Sequence, residues 1–225
     1  MSAIAENIAV LRHRIEAAAT RAGRDPANVR LIGASAAFKG VSPDQIVAAI
    51  DAGLLDFGEN RVQEAAAHIE ALGERARQAT WHFIGHLQTN KARDALERFD
   101  ILQTIDSTRL AQYLSRHATK PVRILLEVNI AGETTKFGFA PPEVADAVAA
   151  VRGMPHLDLA GLMTIAPVAP DPDQVRPYFR ELRSLAEAHG LTELSMGMTD
   201  DFEVAVEEGA TMVRLGRAIF ADPAR

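Results

Sequence analysis

The stretch VRLIGASAAFKGVSPDQIVAAIDAGLLDFGE, residues 29–59, decides the fold. It opens on a short apolar run, VRLIGASA, which reads as a strand entering a loop. Ser42 then precedes a proline where a first helical turn tolerates one, and SPDQIVAAIDAG follows at helical spacing and closes on glycine. A second apolar run, LDFGE, comes next. Strand, helix and strand in this order make a unit that packs as a parallel pair.

The same alternation continues outward along the chain. Further strand candidates are WHFIG, ILQTID, VRILLEVNI, LDLAGLMTI, LSMGM and MVRLG, and the helical patterns between them include NRVQEAAAHIEAL, STRLAQYLSRHA, PPEVADAVAAVRG and DQVRPYFRELRSLAEAHG. Eight strands, each followed by a helix, predict a (β/α)8 barrel. A doubly wound open sheet is the alternative, and the missing glycine fingerprint after the first strand counts against it. Before the barrel, Ile4, Ile8, Leu11 and Ile15 recur at helical spacing, so an extra N-terminal helix is expected. With no linker, no low-complexity segment and no shorter repeat, residues 1–225 read as a single domain.

Composition narrows the function classes. A length of 225 residues, 48% hydrophobic and 24% charged, is that of a globular chain with a large core. The net charge of −6 leaves no footprint for a nucleic acid backbone. Cysteine is absent, which excludes disulfides and thiolate chemistry. No run approaches the roughly 18 apolar residues of a membrane span, and the N-terminal segment mixes acids and bases unlike a signal peptide. These features predict a soluble, cytoplasmic protein.

Barrel active sites lie at the carboxyl ends of the strands. There the sequence offers Glu59 and Asn60 in FGEN, His86, Gln88 and Asn90 in WHFIGHLQTNK, Asn129 in EVNI, and Ser195 before Gly197 in LSMGMTDD. Phosphate sites in this fold often follow the last two strands. Ser195 can give a hydroxyl there, and the backbone around Met196, Gly197, Gly216 and Arg217 can approach an anion. In MVRLG, period-two alternation separates Met212, Arg214 and Gly216 from Val213 and Leu215. If the aliphatic pair faces the helices, Arg214 faces the barrel mouth. A buried arginine needs a partner, either a bound ligand or an acid such as Glu59. Other features read as structural. His82 and His86 lack a third metal ligand, so no metal site is predicted. Asp200 and Asp201 are expected to cap the helix DDFEVAVEEG. Trp81, Tyr113 and Tyr178 are expected to pack.

The segments FGENRVQE, WHFIGHLQTNK, VNIAGETTKFGF, GLMTIAP and ELSMGMTDDFEVAVEEGATMVRLGRAIF together resemble the pyridoxal phosphate homeostasis protein family, also called the YggS-like or proline synthetase co-transcribed family. The resemblance runs in order over nearly the whole chain. It implies a fold type III barrel, like that of alanine racemase, which binds pyridoxal 5′-phosphate (PLP). It also implies a carrier that buffers PLP in vitamin B6 homeostasis without catalytic turnover, with PLP-dependent apo-enzymes as partners and a monomeric state. Carried over, Arg214 approaches the pyridine nitrogen, Ser195, Gly216 and the adjoining backbone hold the phosphate, and Asn60 lines the ring pocket.

One position departs from the family. Its first strand ends in a Ser–Lys pair whose lysine forms the Schiff base with PLP. Here Ser35 matches the serine and Ala36 the lysine, and a methyl group forms no imine. Three accounts stand: an introduced Lys-to-Ala change, a natural member that holds PLP or phosphate non-covalently, or rescue by Lys39. Two other functions stand beside the carrier. A racemase-type PLP enzyme would need the lysine and a tyrosine from an added β-domain, neither expected here. A barrel for another phosphorylated ligand would use the same anion cradle.

Overall fold

The structure is a computed structural model that describes residues 2–35 and 41–221. Ala36 and Lys39 lie outside the described residues. Eight strands pair in parallel and in chain order: β1 Arg30–Ala34, β2 Asp56–Glu59, β3 Thr80–Phe83, β4 Ile101–Ile105, β5 Val122–Glu127, β6 Leu157–Met163, β7 Glu193–Ser195 and β8 Met212–Leu215. β8 returns to β1 with Ile32 opposite Arg214, which closes the barrel and excludes the open doubly wound sheet. Every strand run read from the sequence overlaps one of these strands.

The helices are α1 Ala3–Arg21, α2 Pro43–Asp51, α3 Val62–Leu72, α4 Ala92–Arg98, α5 Thr108–His117, α6 Val144–Arg152, α7 Arg176–Ala188, α8 Phe202–Glu207 and α9 Arg217–Phe220. Local chemistry sets several starts. Ser42 and Gln45 form a reciprocal capping box on α2, and Ser107 accepts from the Leu110 N–H on α5. Two helices begin later than their sequence pattern. Pro141–Glu143 and Pro172–Val175 form 3-10 turns ahead of α6 and α7. Asp201 stands at the N-cap of α8, yet its carboxylate accepts from the Met198 N–H at 2.6 Å and bonds no helix N–H. Asp200 is exposed and pairs with Arg217 at 3.4 Å. The expected carboxylate cap is therefore a loop clasp instead.

Alternation along the strands divides the interior. Phe57, Leu102, Ile124, Leu126, Val213 and Leu215 point outward into the main core beneath the helices. Ile32, Leu125, Ala160, Met163 and Met212 form a smaller apolar floor inside the barrel. Each fully buried large side chain of this kind contributes roughly 1.5–3 kcal/mol. Trp81 is buried and donates Nε1–H to the Ala76 carbonyl, while Tyr113 and Tyr178 pack half-buried against the core. Helix α1 buries Ile8, Leu11 and Ile15 against α2, α8 and α9, and Asn7 donates to the Ile219 carbonyl. It thus braces the last two β/α units from outside. Among the described residues no helix is long and apolar enough to cross a membrane.

Candidate functional site

Beside the apolar floor, several inward positions are polar, and they join in one hydrogen-bonded chain. Arg214 on β8 is only 5% exposed. Its Nη1 donates to Ser195 Oγ on β7 at 2.6 Å, and its Nη2 donates to the Thr164 carbonyl after β6 at 2.8 Å. Ser195 donates in turn to Gln103 Oε1 on β4 at 2.6 Å. Gln103 Nε2 donates to His82 Nδ1 on β3 at 2.8 Å, and His82 Nε2 donates to Asp56 Oδ1 on β2 at 2.9 Å.

Donor chemistry fixes the direction of this chain. An arginine can only donate, so Ser195 must accept from it and send its own proton onward. Gln103 takes that proton on its oxygen and therefore turns its amide nitrogen to His82. The imidazole then accepts on Nδ1 and is neutral, with its proton on Nε2. Five strands are tied to one guanidinium. Gln103→Leu removes the central member and leaves two buried groups, the Ser195 proton and His82 Nδ1, without partners. Each such loss costs about 1–3 kcal/mol, so the variant should lose about 2–6 kcal/mol in urea unfolding.

No carboxylate lies within ion-pair distance of Arg214 among the described residues. The suggested partner Glu59 is fully buried but faces the other way. Its Oε1 accepts from Ser35 Oγ at 2.5 Å and meets His68 Nδ1 at 2.7 Å. His68 Nε2 lies 3.2 Å from the Val41 carbonyl. Both ring nitrogens face acceptors, and the hydrogen bond to Glu59 outweighs burial and holds the His68 pKa above its usual value. This cluster anchors the ends of the segment between β1 and α2. For Arg214, burial pushes the guanidinium down to about 10, against the opposing charges of Asp201 and Glu127. Two of its five N–H groups are spent on Ser195 and Thr164, and the other three have no partner among the described residues.

The remaining predicted residues sort by what they still offer. Ser195 commits its proton to Gln103 and serves the guanidinium. Met196 is fully buried in the outer core and donates its N–H to the Met212 carbonyl, so it has no donor left for an anion. Gly197 adopts φ +95°, and a Cβ there would lie 2.5 Å from Ala205 Cβ. Only glycine lets the chain leave β7 this close to α8. Gly216 is buried at the start of α9, and Arg217 beside it is exposed. The first N–H groups of that turn have no partner within it. Asn60 is exposed at the end of β2, and its backbone lies where a Cβ on Gly85 would fall, 2.3 Å from its carbonyl oxygen.

Two residues of the mouth escaped the sequence reading. Glu127 ends β5 on the same inward face as Leu125, and Asp106 follows β4. Asp106 Oδ2 pairs with His86 Nδ1 at 3.1 Å, and the His86 ring stacks on Phe137 with centroids 3.7 Å apart. Gln103 interrupts the mostly apolar strand ILQTI, and Glu127 closes the strand VRILLE after three aliphatic residues. His82 is a buried link in the polar chain and His86 sits at the mouth, with no metal-binding group of side chains among the described residues.

Comparison with known proteins agrees with this barrel. The family model described as alanine racemase, N-terminal domain, matches residues 1–223. The pyridoxal phosphate homeostasis protein of Pseudomonas aeruginosa is 42% identical, with 98% of this chain and 96% of that protein covered. The protein of the same name from Aquifex aeolicus is 40% identical, with 96% and 97% covered. Among solved structures, PipY of Synechococcus elongatus with PLP bound superposes with a TM-score of 0.83 at 34% identity, covering 97% of this chain and all of that one. Near-complete coverage at this identity leaves one assignment: the chain belongs to the alanine racemase N-terminal domain family and, within it, to the pyridoxal phosphate homeostasis proteins.

Proposed function

We propose that this protein binds PLP reversibly and buffers it in the cytoplasm for PLP-dependent apo-enzymes, as a monomer and without turnover of its own. The observation that carries this reading is Arg214: a buried cation on the inward face of β8 that has, among the described residues, no carboxylate in ion-pair reach and partners for only two of its five N–H groups. A ring nitrogen with a lone pair is a fitting acceptor for it. Asn60 would flank the ring. The phosphate would rest on the backbone at Gly216 and Arg217, where Gly197 keeps the β7 end clear of bulk. Ser195 would act by holding the guanidinium in place.

When bound, PLP supplies an aldehyde and a pyridine ring that can accept electron density. An arginine gives up no proton, so a nitrogen facing Arg214 stays unprotonated and the ring is a weaker electron sink. This favours storage over carbanion chemistry. Ala36 adds to that preference, because position 36 has no amine with which to retain the aldehyde covalently.

Equilibrium dialysis against PLP, followed by borohydride reduction and peptide mass spectrometry, tests the proposal. The folded protein should retain PLP, lose it on exhaustive dialysis, and carry no reduced cofactor on any peptide. Absence of retention would sink the binding reading. A fixed cofactor on Lys39 or any other lysine would sink the non-covalent one.

A further inference from the structure

Glu127 is 8% exposed, and its carboxylate makes no hydrogen bond or ion pair with any described residue. Little of it reaches solvent, and that burial disfavours its charged form. It borders a cavity of about 140 Å3 at the mouth, walled by Val128, Asn129, Thr135, Phe137 and Ile165 and by the stem of Lys136. At roughly 30 Å3 per water, that space admits a head group with one or two carbons. The nearby cation does not fill the need. Lys136 Nζ is already spent on Glu133 Oε1 at 2.6 Å and on the Ile165 and Ala166 carbonyls at 3.2 Å each.

Charge around the cavity favours a cation. Asp106 lies on the next strand end, held by His86, and its charge acts on Glu127 more strongly than the opposing charge of Arg214. Burial comes first, and together with Asp106 it raises the Glu127 carboxyl to about 7. The His86–Phe137 stack flanks the opening with aromatic faces, a surface that suits a cationic group.

We propose that Glu127, with Asp106 behind it and Phe137 at the rim, forms a subsite for the ammonium group of a small primary amine, separate from the Arg214 and Gly216 contacts. The amine donates a charge-assisted hydrogen bond to the Glu127 carboxylate. A second ligand of this class would share the barrel mouth with the aldehyde-bearing one. The subsite stands on Glu127 and its cavity, and does not require PLP to be bound.

Calorimetric titration of the ligand-free protein with methylammonium, near the pH of about 7 at which the Glu127 carboxyl titrates, provides the test. Saturable binding is expected, with a heat that changes with the ionisation enthalpy of the buffer, because the ligand drives the Glu127 proton off. Tetramethylammonium, which has no N–H, should not compete. Glu127→Gln and Asp106→Asn, each checked for a native melting transition, should each weaken binding by about tenfold or more. Absence of saturable binding, or binding unchanged in Glu127→Gln, would overturn the subsite. If Glu127→Gln fails to fold, an unchanged affinity in Asp106→Asn or equal affinity for tetramethylammonium overturns it instead. A protein that binds methylammonium but never retains PLP would sink the cofactor reading and leave this one standing.

Discussion

Arg214→Met is expected to weaken PLP binding by about tenfold to a hundredfold, the worth of a charge-assisted hydrogen bond, while the melting temperature stays level or rises. The two effects separate because the guanidinium is held against its own preference. Burial pushes it well below its ordinary value, to about 10, and a drop of that size is about 3 kcal/mol of differential cost. The sign follows from the direction. A base whose native pKa is lowered is destabilising at every pH where it remains protonated, so the whole neutral range carries the cost. Methionine is unbranched, replaces the aliphatic stem and carries no charge. Against the relief stand the lost bonds to Ser195 Oγ and the Thr164 carbonyl, about 1–3 kcal/mol each. Ser195 keeps Gln103 as its partner, which limits that loss. The two sides come out close to even. Thermal melts and PLP titrations on the same samples check the split, and a parallel collapse of both would make Arg214 a structural residue.

That this arginine faces inward was readable before any coordinates, since Val213 and Leu215 on either side of it are aliphatic and the outer face of a barrel strand lies against helices. Its partners were not readable. Thr164, Ser195 and Gln103 come from three other strands, and only the pairing register brings them to one height. The register itself shifts twice, between Leu102 and Ile105 on β4 and between Ile124 and Leu125 on β5. On β4 the shift breaks the alternation, since Leu102 and Ile105 both face the outer core, so the strand pattern alone does not fix which of its residues line the mouth. Glu59 illustrates the limit. It ends a strand, as a site residue would, yet it serves Ser35 and His68. Helix α4 is a limit of another kind. It has only the residues ARDALER, no side-chain cap, and a 3-10 turn in front of it, so neither length nor capping announces it.

Ala36→Lys should produce the largest change of all, turning PLP that dialyses away into PLP that borohydride fixes to a single peptide. The family resemblance places the aldehyde-binding lysine at this position, where the sequence has Ala36. A free lysine titrates near 10.4 and is a poor nucleophile at neutral pH. In the proposed site the aldehyde is held near the buried Arg214, and a lysine that meets it there has its ammonium form disfavoured by repulsion and desolvation, so more of it stands as the free amine. Ala36→Met separates the amine from the bulk. It fills similar space without a nucleophile, and PLP bound to it should remain fully dialysable. Mass spectrometry of the reduced proteins reads the answer at the residue. Cofactor fixed at position 36 in the lysine variant, and nowhere in the methionine variant or the parent, is the expected pattern. A lysine variant that retains PLP but never fixes it would mean that position 36 does not meet the aldehyde, and the match of Ala36 to the family's lysine would fail with it.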